Sequence, residues 1–126
     1  MGDINLGEEK KVNTILVADQ DPCFRTLYQF IFDHYRVFQA SSVAQAVQFL
    51  QQQEIDLVVT EWEFPDGTAQ HLISHLQDTE RVPVMLVSLI QDMLPPLPGL
   101  VKCRLDKPCS LAALRGSVRQ LLTDSA

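Results

Sequence analysis

A chain of 126 residues with 46% apolar and 21% charged residues suits one compact domain and excludes a mainly disordered chain. Its formal charge of −6 speaks against gripping nucleic acid or an anionic membrane by itself. No apolar window approaches the roughly 18–20 residues of a membrane span, and the N-terminus lacks a secretory pattern, so a cytoplasmic location is expected.

Residues 1–11 are polar and are expected to be a flexible lead-in, with the domain over 12–122 and a short tail at 123–126. "NTILVAD" reads as a first strand ending in acid. In "DPCFRTLYQFIFDHY", Asp21 can cap a helix that tolerates Pro22 early, and Phe24, Leu27, Tyr28 and Ile31 recur at helical spacing. "RVFQA" is a second strand. Ser41 or Ser42 can cap the next helix, whose stripe is Val43, Ala46, Val47 and Leu50. "IDLVVTE" carries the continuous apolar run Leu57–Val59, as expected of a strand covered on both faces. A weaker helix is predicted over Gly67–Asp78, carrying Leu72, Ile73 and Leu76. "VPVMLVS" and "VKCRL" are the remaining strands, and Ser110 can cap a last helix with Leu111, Leu114, Val118, Leu121 and Leu122.

Strand and helix alternate, which predicts a parallel sheet with helices on both faces. The flavodoxin-like strand order 2-1-3-4-5 is the usual small solution, and function then sits at the carboxyl ends of the strands. That edge gathers Asp19, Gln20, Asp21, Glu61, Ser88 and Lys107. Such a set can hold a hard cation through oxygen ligands, or handle a phosphoryl group through lysine and hydroxyl. The plainer reading is a Glu61–Lys107 ion pair that closes the sheet edge. A flavin phosphate fits poorly, because the loop "DQDPC" offers carboxylates where small donors are needed. Cys23, Cys103 and Cys109 have no paired spacing and read as reduced thiols rather than zinc ligands. His71 and His75 stand at metal-compatible helical spacing, but no acidic third ligand is implied.

From about Thr14 to Leu122 the chain resembles a receiver domain of bacterial two-component response regulators. "ILVADQDP" resembles the first strand with its acid pair, and "DLVVTEWEFPDG" the third strand with the phosphoacceptor and the following turn. "VPVMLVSL" resembles the fourth strand with its switch hydroxyl, and "KPCSLAAL" the Lys-Pro step and last helix. The resemblance implies a flavodoxin-like (CheY-like) three-layer sandwich. It implies that Asp19, Gln20 and Asp21 form the acidic pocket, Glu61 holds the phosphoacceptor position, Ser88 and Arg104 the switch positions, and Lys107 the phosphoryl-contacting lysine.

Three of these depart from the family pattern. Gln20 stands where an acid usually ligates magnesium, Glu61 where aspartate is phosphorylated, and Arg104 where a Tyr or Phe usually swings. Glu61 has one more methylene than aspartate, moving its oxygens by about 1.5 Å, and a misplacement near 1 Å can cost about 100-fold in rate. The expectation is a degenerate pseudo-receiver, not an enzyme, unphosphorylated, with Glu61 held by Lys107. No cofactor is expected beyond weak magnesium drawing on Asp19, Glu61 and the Glu63 backbone. The domain would signal by contact with a protein partner or a fused effector domain, without direct nucleic-acid or membrane contact, and a homodimer is left open. The alternatives are a working atypical receiver in a phosphorelay and a purely structural dimerisation module. Finally, Pro95, Pro96, Pro98 and Gly99 shorten or abolish the fourth helix of such a domain. Leu94, Leu97 and Leu100 then either pack a shortened connector onto the sheet or belong to a docking loop.

Overall fold

The computed structural model describes residues 12–77, 82–89 and 91–124. The most apolar segments become strands: β1 (Thr14–Ala18), β2 (Arg36–Ala40), β3 (Leu57–Thr60), β4 (Val84–Ser88) and β5 (Val101–Asp106). They form one parallel sheet in the expected order 2-1-3-4-5. Every residue of β1, β3 and β4 is buried, which is why these segments lack polar alternation.

Helices α1 (Pro22–Ile31), α2 (Val43–Gln52), α3 (Gln70–Gln77) and α4 (Leu111–Asp124) make the outer layers. Leu16, Ala18, Val58 and Leu86 face α2 and α3, meeting Val43, Ala46, Leu72, Ile73 and Leu76. Ile15, Val17, Leu57, Val59, Met85 and Val87 face the other way, against Tyr28 and Ile31 of α1 and Leu114, Val118 and Leu122 of α4. Alternate residues of each central strand therefore serve opposite cores, and the strand ends are fixed in register. Among the described residues, no helix is long and apolar enough to cross a membrane.

The capping readings resolve in detail. Asp21 caps α1 by accepting from the Cys23 N–H, and Ser42, not Ser41, caps α2 by accepting from Gln45. Ser110 accepts from the Ala113 N–H at the start of α4. That helix continues to Asp124, past the boundary expected at residue 122.

The helix expected from Gly67 begins only at Gln70. Gly67 and Thr68 instead pair antiparallel with Phe64 and Glu63, and the Ala69 N–H donates to the Trp62 carbonyl at 2.7 Å. The turn needs glycine, because Gly67 has φ +151°, and a Cβ there would lie 3.0 Å from the His71 ring. Asp78 lies outside the described residues.

Between β4 and β5 the described residues form one 3₁₀ turn, Gln91–Met93, followed by chain without regular secondary structure and a turn at 99–100. Leu94, Leu97 and Leu100 are half-buried against the core on the α2/α3 side, so the segment is a packed connector. Its start is pinned by Gln91, whose Nε2 donates to the Leu86 carbonyl at 3.0 Å and the Leu105 carbonyl at 2.9 Å.

Candidate functional site

Parallel strands deliver their last residues to one edge. Asp19 follows β1, Glu61 follows β3, Ser88 ends β4 and Lys107 follows β5. Main-chain hydrogen bonds hold these exits together: Asp19 N–H to the Ala40 carbonyl at 3.0 Å, Glu61 N–H to Ala18 at 2.9 Å, and Lys107 N–H to Ser88 at 3.0 Å.

Lys107 is the hub. Its Nζ donates to Asp19 Oδ2 at 2.7 Å and lies 2.9 Å from Glu61 Oε2. The three side chains are 7%, 2% and 12% exposed, so the triplet is largely desolvated. Lys107 therefore meets Glu61 as expected, and it meets Asp19 as well. The other carboxylate oxygens also hold donors: Asp19 Oδ1 accepts from the Asp21 N–H at 2.9 Å, and Glu61 Oε1 from the Trp62 N–H at 2.6 Å. The longer Glu61 side chain thus folds back on the next amide while still reaching the lysine.

Burial would push the Lys107 ammonium down, but the hydrogen bonds and charges of Asp19 and Glu61 outweigh it and raise it above the ordinary lysine value. Tyr28 lies buried beneath, and desolvation, then the Asp19, Cys109 and Glu61 charges, push its hydroxyl far up, keeping the phenol neutral. Burial likewise raises the Cys109 thiol, with Lys107 opposing.

Gln20 is exposed, and its Nε2 donates to the Glu63 carbonyl at 3.2 Å. Asp21 serves as the α1 cap. Ser88 is 1% exposed and faces Asp106 in the sheet. Arg104 stays apart: it is exposed on β5, paired with Leu86. Trp62 is buried, packed into the core on the α2/α3 side.

Several participants were not singled out from sequence. Arg25 donates to the Asp19 carbonyl at 2.7 Å, and the Phe24 ring centroid lies 3.8 Å from Lys107 Nζ. Both stand on the first turn of α1, and only their helical spacing from Asp21 could have hinted at it. The sequence marks Asp66 only as part of the turn "PDG", yet its carboxylate accepts from the Val43 and Ala44 N–H groups at 2.9 and 3.0 Å. Among the described residues no group of three or more His, Cys, Asp or Glu side chains is placed to hold a metal.

The family model for the response regulator receiver domain matches residues 15–119. No curated protein sequence matches the chain. Solved structures do resemble it. The Francisella response regulator 1452 receiver domain is 21% identical with a TM-score of 0.81, covering 90% of this chain and 99% of that one. Response regulator protein TrrA from Thermotoga maritima, solved in complex with Mg²⁺-BeF, is 18% identical with a TM-score of 0.79, covering 87% and 99%. The CheY-like receiver domain protein from Methanospirillum hungatei is 16% identical with a TM-score of 0.78, covering 91% and 97%.

Proposed function

Because this chain belongs to the response regulator receiver domain family, we propose that it is a signalling receiver in which a fixed ion cluster has replaced the phosphorylation site. The carrying observation is the desolvated Asp19–Lys107–Glu61 triplet, with lysine at 2.7 and 2.9 Å from the two carboxylates. A buried ammonium bridging two acids supplies the charge balance that a bound cation would otherwise have to bring.

The donor set at this edge does not fit magnesium. That ion demands a near-octahedral array of oxygens and dehydrates reluctantly. Here both carboxylates already hold donors on each oxygen. The Glu63 carbonyl is taken by the Gln20 amide, which brings no charge and, facing a carbonyl, must present its N–H side. Glu61, the residue at the acceptor position, has its oxygens on Trp62 and Lys107 instead of open to an incoming phosphoryl group.

In this reading the domain has no catalytic role of its own. It signals from the cytoplasm by contact with a protein partner or a fused effector domain, and the surface it presents is constant. The test is incubation with acetyl phosphate and magnesium followed by intact mass. We expect no phosphoryl adduct on the native chain and little on Glu61→Asp alone, because the metal-binding charge is still missing. The double variant Gln20→Asp/Glu61→Asp should gain an adduct, since it restores the charge and frees the Glu63 carbonyl. An adduct on native protein would overturn the reading in favour of a working, atypical receiver.

A further inference from the structure

The pocket has a wall that none of the motif residues supplies. Lys107 Nζ lies over the face of the Phe24 ring, 3.8 Å from its centroid, while its other neighbours are Asp19 and Glu61. A ring face carries negative potential, so it attracts the ammonium it covers, where an aliphatic cover would only strip its water. Phe24 is half-buried, whereas the lysine beneath it is only 7% exposed. The ring is therefore an outer cover and not part of the deep core.

The ring is also held in place. Its helix is tied to the site by the Asp21 N–H on Asp19 Oδ1 and by Arg25 on the Asp19 carbonyl. Behind it, Tyr28 meets Phe24 at 6.2 Å and stacks on Phe32 at 5.8 Å, and Phe32 meets Tyr35 edge-on at 6.3 Å. A column of aromatic rings running along α1 and into the turn after it thus buttresses Phe24 from the core side.

We propose that Phe24 is the lid of this pocket: its ring caps the Lys107 ammonium and bars small polar reagents, phosphoryl donors among them, from the ion triplet. The inference rests on the fixed-cluster reading of the pocket. It adds that closure depends on the first turn of α1, so anything that displaces that turn opens the site.

The test uses the full chain, brief acetic anhydride labelling and peptide mass spectrometry, with exposed Lys102 as the internal reference. Native Lys107 should label about tenfold or more slowly than Lys102, because labelling waits on local opening. Phe24→Ala should remove most of that protection, and Phe24→Leu, which keeps apolar bulk without the ring, should remove part of it. Asp19 and Glu61 are unchanged in both variants, and both lose the ring's attraction for the ammonium, so the further rise from Phe24→Leu to Phe24→Ala reports access. If Phe24→Ala fails to fold by circular dichroism, Phe24→Leu decides, with faster Lys107 labelling supporting the lid. An unchanged ratio in the folded variant overturns it, and so does native Lys107 labelling as fast as Lys102. No phosphoryl donor is involved, so an adduct on the native chain would sink the fixed-cluster reading by a separate measurement.

Discussion

Lys107 carries more of this site than any other residue, and its energetics follow from its surroundings. Its charge is almost out of water, and two carboxylates at 2.7 and 2.9 Å compensate it. Breaking a buried pair from one side leaves uncompensated charge, which costs about 3–5 kcal/mol. Lys107→Met would strand two acids beside each other, so a loss of that order is expected in urea denaturation at neutral pH. The pH dependence has a definite sign. Lys107 is raised in the folded state, so its contribution is fully present below the ordinary lysine value and is lost as pH rises through the still higher folded value. The gap between native and variant stability should therefore hold across neutral pH and close as strong alkali removes the ammonium's proton. A variant as stable as the native chain would show that the pairs contribute nothing net. The sequence pointed to Glu61 as the lysine's partner, on the argument of one extra methylene. It did not show that Asp19, 88 positions away, would lie closer still.

At the scale of elements, local signals were legible and distant ones were not. Ser42 and Ser110 could be read as caps because a cap lies within one turn of what it serves. Asp66 could not, since it serves the N-terminus of α2 from 23 residues further along the chain. Its carboxylate takes the Val43 and Ala44 N–H groups and so ties the turn after β3 to that helix. These bonds, from Ala44 and then Val43, hold Asp66 below its ordinary value. Its contribution is therefore present above the usual carboxylate range and is lost as pH falls through the lower folded value. Asp66→Ala should lower Tm at neutral pH, and the difference from native should shrink in acid; equal melting temperatures at neutral pH would reject the role. The segment after β4 was legible as a broken helix from its prolines, but whether it docks or packs was not. Leu94, Leu97 and Leu100 lie against the core, and each contributes about 1 kcal/mol by partial burial. Replacing residues 94–98 by a Gly/Ser stretch should thus lower Tm clearly. Retained stability with loss of partner capture in a pull-down would show a docking loop instead.

For the molecule as a whole, the sheet order was recoverable because alternating strands and helices with right-handed crossovers leave few arrangements. That order alone brings Asp19, Glu61, Ser88 and Lys107 to one edge, so the site's members were legible even where their pairings were not. Response to a signal needs more than the edge: it needs an element with two arrangements that the site can bias. The parts that could form one are displaced here. Ser88 is buried opposite Asp106, whereas Arg104 is exposed opposite Leu86, so Arg104 is not the cross-strand partner of the hydroxyl. Where a mobile helix could lie between β4 and β5 the described residues form a single 3₁₀ turn, pinned by Gln91 to the carbonyls of both strands. Shifting that turn would release two main-chain acceptors at once, and the proline-stiffened chain beyond it has three leucines against the core. The β5 side of the domain should therefore keep one shape whatever phosphoryl donor is present. Sedimentation velocity at fixed protein concentration, with and without acetyl phosphate and magnesium, should return the same distribution of species. A donor-dependent shift toward a dimer would mean that the edge still communicates with this face, and that the Gln91 clasp opens.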